Sequence, residues 1–380
     1  MPPKKTTDSL NTNQIAFGFV LCIYIFFGIY THSIFQSTRP AYDFDLYERA
    51  LSRALSSLDP YDIREIGPAF LYPPPSLFVI EALGIPLNAT VQFYVAVFVN
   101  LVAMLVIIRQ IHVRFGYSTR DVWFWFPLTF FFAPLLATLQ VGQINLITEL
   151  GIVLFFVAAI PWLAALGLTL AVITKVTPVA FLFYSVIGRD RKTIFYSLIL
   201  IMVVMLAAGF RYGFSTYTTY IDVFANLLQT TGLTQNSQSF ESKVWMTFRP
   251  DFSPAQFHTF FLLYMGILVL ASGYFAARTK DRVPLFIVLG LVITVSPNVM
   301  WYHHYVFLLP PLLIWMAWQK LEQGLVLWIM SGLLMIQIDY YFLTTGFLIH
   351  LFVQLSILRV IYQQYSKLKE LRSLTGLPAA

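Results

Sequence analysis

Two acidic residues, Asp43 and Asp45, stand two positions apart just beyond the first apolar run of the chain. A carboxylate where membrane gives way to water is partly desolvated, which raises its pKa and suits it to take a proton from a hydroxyl. The same pair also fits a divalent cation, or a solvated loop and helix cap. Late in the chain Ser296-Pro297-Asn298 and Trp301 lead into adjacent histidines, His303 and His304. A neutral imidazole orients a hydroxyl and a charged one pairs with phosphate, while beside Trp and Tyr either ring also serves as interfacial packing. Adjacent side chains face different sides of a helix, so the two rings are poorly set to share a metal.

Lys175 lies inside an otherwise apolar stretch and is harder to dismiss. Intramembrane charges are expensive and face a cavity or a partner. Near the outer face Lys175 would bind a lipid phosphate; near the midplane it would pair with Glu149 or Asp339. Gly142-Gln143-x-Asn145 offers side-chain amides and backbone donors to a polar ligand, or is an ordinary turn and cap. Asn88-Ala89-Thr90 fits a glycosylation sequon, a pattern common by chance. There is no Walker loop, no zinc-type Cys/His set and no Ser/His/Asp spacing, and the lone Cys22 excludes thiolate clusters and an intrachain disulfide.

The elements that must position these residues are membrane helices. Hydrophobic side chains make up 58% of the 380 residues and charged ones only 11%, against about 25% charged in an ordinary globular domain. Mean hydropathy is +0.72. Such a chain cannot clothe a water-soluble particle, so a soluble domain, a nucleic-acid binder and a disordered protein are excluded. The net charge of +6 reads as loop topology before it reads as an anionic partner. Residues 14–30 read as a signal anchor without a cleavage site. Spans are expected at 91–108, 122–139, 144–160, 194–210, 257–277, 284–295, 305–318, 325–343 and 347–362, while 162–187 is broken at Lys175-Val176-Thr177-Pro178 into one kinked helix or two short ones. This predicts an all-α polytopic integral membrane protein with about twelve transmembrane helices, the whole of 1–380 forming one transmembrane domain.

Basic clusters at Lys4/Lys5, Arg109/Arg114/Arg120, Arg189/Arg191/Lys192, Arg278/Lys280/Arg282 and the tail, 363–380, are read as cytoplasmic. Residues 33–88 and 213–254 then lie outside, and 70–87, with Tyr72-Pro73-Pro74-Pro75, becomes a re-entrant or interfacial element. The first outside loop is crowded with Asp43, Asp45, Glu48, Asp59, Asp62 and Glu65. Within it 48–58 has amphipathic spacing, which predicts a helix lying along the membrane surface behind the acidic pair.

The motifs also stand in a telling order: Asp43-Phe44-x-Leu46-Tyr47, Leu58-Asp59-Pro60-Tyr61, Phe70-Leu71-Tyr72-Pro73-Pro74, Gly142-Gln143-x-Asn145, Lys175-Val176-Thr177-Pro178, and Ser296-Pro297-x-x-x-Trp301-x-His303-His304. From about Asp43 to Pro310 this resembles glycosyltransferase family 87 of the GT-C superfamily. The resemblance implies a GT-C-type fold in a bacterial plasma membrane with its active site outside. It implies an inverting transfer of a hexose, mannose first, from a polyprenyl-phosphate sugar donor to a hydroxyl of a lipid-linked or glycan acceptor, without cofactor or metal. By the spacing to Tyr47, Asp43 matches the family's acid and would be the general base, with Asp45 at a variable position. The family's late histidine falls on His303 or His304. Asn236-Ser237-Gln238-Ser239-Phe240 is a looser match to a polar motif of a later outside loop. Candidate donor and substrate contacts are thus Lys175, Asp45, Arg49, Tyr72, Gln143, Asn145 and Asn236. Glu149 stands where an apolar residue is expected. Membrane lipids are the remaining partner, and nucleic acid is not one. The competing reading is a secondary transporter, which also uses broken helices and intramembrane charges, but the acids crowd one outside loop and no internal repeat is visible.

Overall fold

In lipid every backbone N–H and C=O must be paired within its own segment, so a chain this apolar has helices as its natural structure. The computed structural model describes residues 42–62, 70–83, 89–117, 125–126, 129, 132–229, 239, 254–297, 300–319 and 343–375, and these are helical with short connections. The helices are α1 (Tyr42–Leu55), α2 (Ser76–Ala82), α3 (Ala89–Phe115), α4 (Ala133–Val141), α5 (Asn145–Val157), α6 (Pro161–Thr174), α7 (Leu182–Ile187), α8 (Arg191–Tyr212), α9 (Ser215–Gln229), α10 (Pro254–Thr279), α11 (Val283–Val295), α12 (Leu309–Trp318) and α13 (Leu343–Thr375). Two 3-10 turns, Thr177–Phe181 and Tyr302–Leu308, precede α7 and α12.

Among the described residues three helices are long and apolar enough to cross a membrane: Val91–Phe115, Arg191–Tyr212 and Gln256–Thr279. Other expected crossings fall on shorter apolar helices, such as Asn145–Val157, Pro161–Thr174, Thr177–Ile187 and Val283–Val295. The expected span at 14–30 lies outside the described residues, as does that at 325–343 up to Leu343, where α13 begins. At about 1.5 Å per residue a 13-residue helix covers roughly 20 Å, less than the ~30 Å hydrocarbon core. The reason for the short pieces is local. Gly142 ends α4 in the left-handed region, at φ 76°. Lys175 leaves α6 extended, at φ −152° and ψ 133°, and Pro178 stands in the opening turn of the 3-10 segment that follows. The 162–187 stretch is therefore two helices joined by a turn.

One expectation is corrected. The first-loop helix spans Tyr42–Leu55, not 48–58, so Asp43 and Asp45 sit inside its first turn, where the positive end of the helix dipole favours acids. It stops early because Ser57 takes φ 57° and the Leu58 amide turns back to the Arg53 carbonyl. At the other end α13 continues unbroken to Thr375, and Lys367 pairs with Asp281 at 2.7 Å.

Packing then draws the helix breaks together. α5 crosses α6 at two glycines so closely that a Cβ on Gly151 would lie 2.6 Å from the Gly167 carbonyl oxygen, the small-residue contact that lets membrane helices approach. The same crossing is pinned near its end by Thr148 Oγ1 donating to Thr174 Oγ1 at 2.8 Å. α11 is buried along its whole length against α10, α12 and α13. α1 lies with α2 across the α3–α4 end, burying Phe44, Leu46, Tyr47, Ala50, Leu51 and Ala54.

Candidate active site

Asp43 and Tyr47 are four residues apart on α1, hence on one face, and that face meets the turn between α4 and α5. The contact requires glycine twice over. Gly142 has positive φ, and a Cβ there would lie 2.6 Å from the Cβ of Phe44. With α1 seated against Gly142, the next residue, Gln143, reaches its carboxylate. Gln143 Nε2 donates to Asp43 Oδ2 at 2.6 Å. Its Oε1 accepts from Tyr47 OH at 2.6 Å and from Tyr72 OH, and the two phenol oxygens are 2.7 Å apart. Phenol protons can only be received by the amide oxygen, so the amide nitrogen must face Asp43. From α3, Asn100 Nδ2 fixes the same turn by donating to the Gln143 carbonyl at 2.9 Å.

The late histidines arrive from the 3-10 turn before α12. His303 Nε2 lies 3.8 Å from Asp43 Oδ2 and has no hydrogen-bond partner among the described residues. Its ring stacks on Trp301 with 13° between planes, and its carbonyl accepts from Thr138 Oγ1 at 3.1 Å. His304 turns the other way, its Nδ1 facing the Trp301 amide at 3.4 Å. Burial, reinforced by the Lys175 charge, pulls the His303 pKa down to about 3, so the ring is neutral at physiological pH. Burial pushes the Asp43 carboxyl above its usual range, opposed by the Gln143 hydrogen bond and the Lys175 charge. A carboxylate so placed is a stronger base than a solvated one, yet it is held as an acceptor.

Lys175, at the end of α6, donates from Nζ to Asn145 Oδ1 at 3.1 Å. Its ammonium lies 4.5 Å from the Phe307 ring centroid and 5.8 Å from that of Tyr72. The structure thus brings Asp43, Tyr72, Gln143, Asn145, Lys175, His303 and His304 into one neighbourhood. It leaves Asp45 and Arg49 out, both exposed on the opposite side of α1. Asn236 lies outside the described residues, as does Asp339. Tyr47 and Asn100 were not expected as site residues; the i+4 spacing from Asp43 was a signal for Tyr47, whereas nothing local distinguishes Asn100 within its apolar helix. Among the described residues no group of three His, Cys, Asp or Glu side chains could hold a metal ion.

Comparison with known proteins agrees with the motif order. The model of Glycosyltransferase family 87 matches residues 70–297. The polyprenol-phosphate-mannose-dependent alpha-(1-2)-phosphatidylinositol mannoside mannosyltransferase of Mycobacterium tuberculosis is 28% identical over 225 residues, covering 56% of this chain and 50% of that protein. The chain thus spans about half the length of the curated relative it matches. No solved structure matches. The family match takes in Tyr72, Gln143, Asn145 and Lys175; Asp43 precedes it and His303 and His304 follow it. On that match, and on its all-helical apolar build, this membrane protein belongs to glycosyltransferase family 87.

Proposed function

We propose that the protein transfers a hexose, mannose in the first instance, from a polyprenyl-phosphate sugar to a hydroxyl of a lipid-linked or glycan acceptor, with inversion and with Asp43 as general base. The observation that carries this reading is the Asp43 carboxylate, gripped on one oxygen by Gln143 and faced by a neutral His303, a short way from the Lys175 ammonium. In the reaction the acceptor oxygen attacks the anomeric carbon, the bond from that carbon to the phosphate oxygen breaks, and the hydroxyl proton passes to Asp43. His303 orients the hydroxyl, and Lys175 stabilises the charge that grows on the departing phosphate. Each buried methylene of the donor's tail is worth about 0.8 kcal/mol, so the donor stays in the bilayer and the site must open to it there. We place α1 along the outer surface of a bacterial plasma membrane, with about twelve crossings beneath it. Family membership favours this enzyme over a transporter.

The test is incubation of membranes carrying the protein with radiolabelled polyprenyl-phosphate sugars, followed by identification of the labelled lipid. Asp43→Asn should cut transfer by about a thousandfold or more while donor binding persists. A purified Asp43→Asn protein with full activity would remove Asp43 from the mechanism.

A further inference from the structure

Gln143 is gripped at both ends of its side-chain amide. Its Nε2 donates to Asp43, and its Oε1 sits against two phenols from separate elements, Tyr47 on α1 and Tyr72 in the segment before α2. All three side chains are buried. The Tyr61 hydroxyl donates to the Tyr72 carbonyl at 2.7 Å, and the Tyr47 and Tyr72 rings pack edge-on with centroids 5.1 Å apart, so both phenols are held in place. Each phenol carries one proton. One of the two can pass between the phenol oxygens, 2.7 Å apart, but the other then has only Gln143 Oε1 to receive it among the described residues. Turning the amide over would strand that proton in a buried site, which is costly.

We propose that Tyr47 and Tyr72 are positioning residues for Asp43: either phenol alone pins the Gln143 oxygen, so the amide presents N–H to the carboxyl group whether or not that group carries a proton. This rests on the reading of Asp43 as general base. An ionised Asp43 gains from a fixed N–H, whereas a protonated one needs an acceptor and finds none in the pinned amide. His303 Nε2, at 3.8 Å, is beyond hydrogen-bond distance. The lock therefore favours the form of Asp43 that can take a proton. The titratable groups facing Asp43 are Tyr47, Tyr72, His303 with His304 against it, and Lys175 from the end of α6. Removing the phenol oxygens leaves the imidazoles and the ammonium where they are. Either phenol suffices, and that redundancy distinguishes a lock from ordinary packing.

The experiment records kcat/KM for transfer against pH on the purified full-length protein in lipid nanodiscs, with polyprenyl-phosphate mannose as donor and a total membrane lipid extract as acceptor. Tyr47→Phe and Tyr72→Phe, each alone, should leave the acid limb within about 0.2 pH unit of the parent's, whatever each does to the rate. The two together should move the limb up by about 0.5 to 1 unit, since the freed amide can turn its oxygen to a protonated Asp43. In a Gln143→Leu background the same pair of changes should move the limb no further. If the double variant does not fold, Tyr47→Phe with Tyr72→Met, which removes both hydroxyls and fills the gap with a flexible side chain, carries the same expectation. A limb that stays with the parent's in the folded double variant, that moves in equal steps with the two single changes, or that moves again without Gln143, overturns the lock. A parent with no acid limb, or full activity in Asp43→Asn, overturns instead the reading of Asp43 as base.

Discussion

Helices α5 and α11 have the same length, 13 residues, and both are buried along most of their surface. α11 is apolar on every face, and its one threonine, Thr294, returns its hydroxyl to the Gly290 carbonyl of its own helix at 2.8 Å. α5 carries Asn145, Thr148 and Glu149 at helical spacing on one buried side, and two of the three make side-chain bonds to α6 and its end. α11 contributes packing, and α5 brings polar groups to where the chain breaks. The lesson is that in this molecule the helix ends and the faces beside them hold the chemistry, whereas uninterrupted apolar helices hold the ends in place.

That contrast can be broken by substitution. Asn145→Leu should lower transfer by about a hundredfold through loss of the Lys175 anchor, with little change in Tm. Leu291→Ala on α11 should do the opposite, lowering stability by about 2–5 kcal/mol with transfer per folded molecule unchanged. Thermal melts and initial rates on both variants decide the matter, and equal rate losses would erase the distinction. Gly142→Ala should cost about thirtyfold in rate together with several degrees of Tm, since a side chain there meets Phe44 and moves α1 with Asp43. His303→Ala should slow transfer about tenfold and His304→Ala by less than about threefold, because only His303 faces the carboxylate. Equal effects of the two would return the choice between them to open.

The smallest expected effect is on pH. Asp43 must be ionised to act as base, and its pKa is raised, so the rate should fall toward acid at a pH above the ordinary aspartate value of 3.8. The Gln143 hydrogen bond lowers that pKa, so Gln143→Leu should move the acid limb of kcat/KM to higher pH, with the deficit shrinking as pH rises. An acid limb that stays where it was would detach Gln143 from the base.

Several of these residues were legible in the sequence because their types were out of place: an acid pair beyond an apolar run, a lysine within one, two histidines beside a tryptophan. Asp45 and Arg49 had equally good credentials by type and yet face outward, because their positions on α1 fall on the side away from the buried face that carries Tyr47. Asn100 carried no signal, being one polar residue in a long apolar helix, and its partner is a backbone carbonyl 43 positions away.

Composition alone dictated helices, since an apolar chain with so few charges can satisfy its backbone in lipid in no simpler way, and the glycines, prolines and Lys175 marked where those helices would stop. Which side chains meet was decided by tertiary packing. Helical periodicity orders residues within an element, but it says nothing of the distance from Asp43 to Gln143 or to His303. Those distances are set by the glycine contacts that let α1 settle on the Gly142 turn and let α5 cross α6, and by the turn that aims one imidazole at the carboxylate and its neighbour away.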